Sequence, residues 1–164
     1  MHAPVDDPSD PDFWASLLHE GYRFRDDAGC AAQPGRPPAP ANRPWAELPE
    51  TYRRASRASA MHFRTKLAVV GRQLAKAGSA PEAPLQPSEL EQLARIEHDR
   101  WWADRAADGW RHGAVRDDAR KLHPDMVPYE ALAEPIRQLD RDMVERMVEL
   151  LRTRGLVLVR QGRT

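Results

Sequence analysis

One ordered set of residues occurs twice in this chain, and that recurrence limits the folds open to it more than any other feature. Phe13-Trp14-Ala15 and Gly21-Tyr22-Arg23 stand 88 positions before Trp101-Trp102-Ala103 and Gly109-Trp110-Arg111. Further along the spacing becomes 84. Pro44-Trp45 then precedes Pro128-Tyr129, Leu48 precedes Leu132, and Arg53 and Arg57 precede Arg137 and Arg141. Phe63, Leu67 and Gly71 likewise precede Met147, Leu151 and Gly155. The four-residue change falls between Arg23 and Pro44, a Pro-rich stretch where length changes are tolerated. This order predicts a duplicated unit. One copy alone would leave its apolar stripe uncovered, so the two are expected to close into one compact pseudo-twofold domain with a cleft between equivalent helices.

The local signals fit an α+β, mainly helical fold, each copy having two helices and short strands. Residues 1–10 read as a flexible tail, with Ser9 or Asp10 capping a helix through FWASLLHE and Pro11 in its first turn. Gly21 is expected to end that helix before a brief strand, Tyr22-Arg23-Phe24. Residues 27–43 read as an extended Pro-rich loop. Leu48 to Lys76 reads as mostly helix, with Tyr52, Ala55, Phe63, Leu67, Val70 and Leu74 as its apolar stripe. The first copy thus spans 11–78 and a linker 79–87. The second copy, 88–162, opens on a capping box at Ser88-Glu89-Leu90-Glu91 and a helix to Asp108, stopped by Gly109. Trp110-Arg111-His112 resembles a strand and 113–127 a polar loop. A helix near Glu134 to Arg154 and the strand LVLVR follow Gly155.

Charge and cysteine usage exclude several functions. Twenty-five basic residues balance 25 acidic ones, so no broad basic field exists for nucleic acid. A single cysteine, Cys30, excludes an internal disulfide, and no apolar run approaches the roughly 20 residues of a membrane span. A cytoplasmic protein with no membrane partner is expected. The chain has no Gly-rich phosphate loop, no HExxH and no Cys/His set spaced for zinc, and no nucleophile–base pair stands out. It is therefore expected to be no enzyme and to carry no cofactor or metal.

The densest chemistry runs from Glu97 to Asp142. His98, Trp101 and Arg105 fall at i, i+3 and i+7, on one helical stripe. The indole can stack a flat base and the guanidinium can fork onto phosphate, or Trp101 is core and Arg105 passes over it to solvent. Trp102 and Trp110 read as core. His123 before Pro124 is either a turn or a site residue. Asp117-Asp118 sit among Arg116, Arg120 and Lys121 and read as solvated loop charges. Arg53, Arg57 and Lys66 are either one half of a cationic cleft or an exposed helix face; His62 and Glu97 are equally open.

Glu97-His98, Trp101, Arg105, Gly109-Trp110, Asp117, His123-Pro124, Val127-Pro128-Tyr129, Leu132 and Asp140-Arg141 carry a resemblance to the RyR domain, the ryanodine receptor repeat. It covers about Leu90 to Val159. The first copy is looser; its Pro44-Trp45, Leu48-Pro49-Glu50, Ser56-Arg57, and His62 with Lys66 are similar to the pattern of bacterial tandem-repeat members. The resemblance implies a non-catalytic α+β module of paired repeats that senses or sequesters a small anionic ligand, an adenine nucleotide or a derived signal, in the cleft between the repeats. It implies ligand contacts from Trp101, Arg105, His123 and Asp140, with His98 beside them and Trp45, Arg57 and Phe13 facing from the first copy. Two departures mark the first copy: Phe13 where a Trp is expected, and Ala39-Pro40 in place of His123-Pro124. A protein-interaction module, with a protein partner or a second copy in place of the small ligand, is the alternative.

Overall fold

The computed structural model describes residues 10–31 and 42–162. The tail 1–9, with Ser9, and residues 32–41 of the Pro-rich stretch, with Ala39-Pro40, lie outside the described residues. The chain divides into two compact units, Met1–Leu85 with Glu145–Thr164, and Gln86–Val144. The fold is α+β and mainly helical.

In the first unit, helix α1 (Pro11–Ala31) packs on helix α2 (Glu50–Val69). Asp10 caps α1, its side chain accepting the Asp12 amide at 2.7 Å. The helix runs straight through Gly21 to Ala31, which corrects the expected stop, the strand at 22–24 and the start of the loop at 27. A glycine ends a helix by taking positive φ, and Gly21 does not; Gly71, Gly109 and Gly155 do. Phe13, Leu17, Leu18, Leu48, Phe63 and Leu67 are buried between the helices. Tyr52 and Ala55, assigned to the stripe, are exposed.

The helix expected as far as Lys76 ends at Val69, and Arg72–Lys76 form strand β1. Arg-Gln-Leu-Ala-Lys has little strand character of its own; its partner imposes it. That partner is the C-terminal strand Leu156–Arg160, antiparallel, with Leu74 opposite Leu158 at the centre. Beyond the strands, Gln161 N–H donates to Gly71 O at 3.0 Å and Ala77 N–H to Gly155 O at 2.8 Å. Gly71 and Gly155, Leu74 and Leu158, and Ala77 and Gln161 are each 84 positions apart, so the ladder reads the same from either strand. The buried Arg72 guanidinium donates to Ala83 O at 3.0 Å and Pro84 O at 3.3 Å, fastening the linker to this unit.

The second unit opens with helix α3 (Pro87–Ala107). Its capping box lies at Gln86 and Glu89, two residues before the one expected at Ser88, and Gln86 N–H donates to Glu89 Oε2 at 2.8 Å. Pro87 fixes the first helical φ and so places Ser88 inside the first turn. After Gly109, strand β2 (Arg111–His112) pairs in parallel with β3 (Leu122–His123). Gly113 permits that approach, since a Cβ there would lie 2.8 Å from Leu122 Cβ. A 3-10 turn at Tyr129–Ala131 leads into helix α4 (Glu134–Thr153), which runs on into the first unit and is followed there by β4 (Leu156–Arg160). Ala94, Tyr129 and Leu132 form a buried cluster with Val127 and Ile136 against it.

Candidate functional site

The second unit threads its aromatic and imidazole rings into one continuous series. His98 lies 5.9 Å from Tyr129 and 5.6 Å from Trp101, centroid to centroid. Trp101 meets His123 edge-on at 5.0 Å, His123 lies 6.3 Å from Trp110, and the Arg105 guanidinium sits over Trp110 at 5.1 Å. Helix α3 supplies His98, Trp101 and Arg105 on one stripe; Trp110 immediately precedes β2, and β3 supplies His123. Sequence reasoning assigned Trp102 and Trp110 to the core, whereas both are half-buried like Trp101, Arg105 and His123. The position of Trp110 after Gly109 carried no sign that Arg105 folds over it.

His98 and Asp140 lie behind this face. His98 Nε2–H donates to Val127 O at 2.8 Å, since a carbonyl only accepts. Its Nδ1 turns toward Asp140 Oδ2 at 3.8 Å. Both residues are buried, at 4% and 3% exposure. Asp125 N–H donates to His123 Nδ1 at 3.2 Å, leaving Nε2 to carry the ring proton of the neutral form.

Below the face is a clasp that sequence reasoning missed. Arg141 donates to Glu91 at 2.8 Å and also to Glu134, tying α3 to the first turn of α4. Burial works to raise the Glu91 carboxyl, but the Arg141 guanidinium outweighs it and holds Glu91 below the usual carboxylate range. Burial, then the Glu91 charge, pushes the Tyr129 hydroxyl up to about 12.

The first unit has a similar set of contacts. His19 Nε2–H donates to Arg43 O at 2.6 Å, and its ring lies 6.0 Å from Trp45. Arg57 donates to Asp12 and Glu50, each at 2.5 Å. The Arg57 hydrogen bond holds the Asp12 carboxyl below its usual range despite burial, and both carboxylates raise the Arg57 guanidinium. Asp12 and His19 make the kinds of contact that Glu91 and His98 make in the second unit, and the members of each pair are 79 positions apart. The contacts follow that spacing over the first helix and not the 88 that matched Phe13 to Trp101.

The remaining predicted residues lie in the first unit and in the loop between β2 and β3. Phe13 is 1% exposed and packs edge-on against Trp14 at 5.1 Å, as part of the core. Arg57 is committed to two carboxylates and lies 5.9 Å over Trp45, as does Arg53. Arg53 also donates to Ala46 O. Asp117 and Asp118 are loop charges: Asp117 accepts the Arg120 amide at 3.0 Å and Asp118 pairs with Arg116. Lys66 is buried and His62 exposed. Among the described residues no group of three His, Cys, Asp or Glu is placed to hold a metal, and no helix is long and apolar enough to cross a membrane.

A ring series on a helix and a short parallel ladder, held from behind by a buried histidine and an arginine clasp, defines a small α+β module that presents aromatic and cationic groups. The family model of the RyR domain matches residues 86–160, the segment from the start of α3 through β4.

Proposed function

We propose that the chain is a tandem pair of RyR-type repeats and that the second is a non-catalytic module holding a small anionic ligand with a flat ring, an adenine nucleotide or a derivative of one. The observation that carries this reading is the half-buried series Trp101, His123, Trp110 and Arg105. A base stacked on an indole edge or face gains from dispersion and from exclusion of water. Arg105 is already held over Trp110, so its fork is ordered before phosphate arrives, and no carboxylate pairs with it among the described residues. The repeat reading is supported by the His19 and His98 bonds, the Arg57 and Arg141 clasps, and the self-similar ladder of β1 and β4. As a non-catalytic module it would report through a partner or sequester its ligand.

A thermal-shift screen of adenine nucleotides, cyclic nucleotides and ADP-ribose tests this. A ligand at a hundredfold excess over Kd raises stability by about 2.7 kcal/mol, a shift of several degrees. Trp101→Ala and Arg105→Ala should each abolish the shift while melting as cooperatively as the wild type. No shift from any of these ligands overturns the reading. A second reading, a protein-interaction module, is favoured by the apolar side chains of Met61 and Val69, 80% and 55% exposed on α2. A concentration-dependent increase in mass that Met61→Lys removes would support it.

A further inference from the structure

The parallel pairing of β2 with β3 sets His112 beside His123 as Cα partners. Partners in register point to the same face of a ladder, their strands about 4.8 Å apart. Trp110, two residues before His112, takes that face too, and Trp110 and His123 are indeed in ring contact. His112 is exposed, and among the described residues no hydrogen bond or ion pair reaches its ring. Its surroundings are mixed in charge. On β3, His123 has Asp125 Oδ2 at 3.9 Å from its Nδ1. On α3, Arg105 lies over Trp110. Asp108 accepts from Trp110 Nε1 at 3.1 Å and has the Lys121 ammonium at 3.4 Å, so its charge is already answered. Arg111, whose partner is Leu122, takes the opposite face.

We infer that His112 is a ligand-contacting residue of this site, gripping the anionic group together with Arg105 while the flat ring lies against Trp101 and Trp110. The inference rests on the ligand reading above and adds to it a pH-dependent anion grip. An imidazolium attracts an anion that neutral imidazole only hydrogen-bonds, so occupancy of His112 by a proton and of the site by an anion favour each other. Binding then tightens as pH falls through the histidine range.

ADP-ribose and cyclic AMP are suitable probes, because their phosphodiester charges do not change between pH 5.5 and 8. Isothermal titration of the full chain should give a Kd about tenfold lower at pH 5.5 than at pH 8. His112→Gln should weaken binding at pH 5.5 to near the wild-type value at pH 8 and flatten the profile. His112→Lys should keep the tight value at both pH values. If the probes bind with Trp101-dependent affinity but without pH dependence, or unchanged in His112→Gln, the inference fails and the ligand reading stands. If neither probe binds at any pH, the inference fails, and the ligand reading fails with it when the adenine nucleotides of the thermal-shift screen also give no shift; binding that ignores Trp101→Ala overturns both.

Discussion

His98 donates its Nε2 proton to the backbone oxygen of Val127 at 2.8 Å, and this one bond joins the helix that carries Trp101 to the chain that leads into Tyr129. The His19 bond to Arg43 joins α1 to the chain that leads into Trp45 in the first unit. A buried ring that satisfies a buried carbonyl fixes the rotation of its helix, and three residues on, the rotation of Trp101.

Replacing His98 with Ala strands the Val127 carbonyl and empties the space between Tyr129 and Trp101. The expected cost is about 2–3 kcal/mol in urea unfolding with unchanged m. His19→Ala should cost a similar amount. A loss below about 0.5 kcal/mol in either variant would show that the bond does not hold its helix.

The Arg141 clasp makes the fold acid-sensitive. Glu91 is held below its ordinary value in the folded state, so the unfolded chain takes its proton first as pH falls. The stabilisation is complete above pH about 5 and is lost through and below the ordinary carboxylate range. Asp12 contributes with the same sign. Arg141→Met should cost about 1–2 kcal/mol at pH 7 and flatten the decline of stability between pH 5 and 3. An acid profile identical to the wild type would count against the clasp.

Tyr129 works in the opposite direction. Its hydroxyl is raised to about 12, above the ordinary tyrosine value, so the folded state keeps the proton that the unfolded chain gives up. Stability should therefore fall as pH rises from about 10 to 12. Absorbance of tyrosinate should contain a late component near 12 that Tyr129→Phe removes.

Gly155 has φ of +71° and Gly71 of +66°, with nothing within 4 Å of a Cβ at either. Alanine at each should cost about 1–2 kcal/mol, all of it conformational. Equal costs would be the thermodynamic sign of equivalent helix-to-strand turns; calorimetry of both variants reads this directly.

The sequence by itself determined what depends on neighbours along the chain. Period 3.6 placed α2 and α4, LVLVR declared its strand, Gly155 its turn, and the spacing of 84, from Pro44 and Pro128 to Gly71 and Gly155, aligned Arg57 with Arg141 without showing what either holds. It brought His98, Trp101 and Arg105 onto one stripe and gave the order of residues that resembles the RyR domain.

Tertiary structure decided the rest because those features depend on partners remote in sequence. Arg72–Lys76 become a strand only beside Leu156–Arg160. Gly21 stays helical because its φ does not turn positive. Asp12 and Glu91 differ as residues, so the spacing of 79 is invisible until each is found on its arginine. Trp110, His112 and His123 share a face only because two short strands, ten residues apart, run parallel in one register.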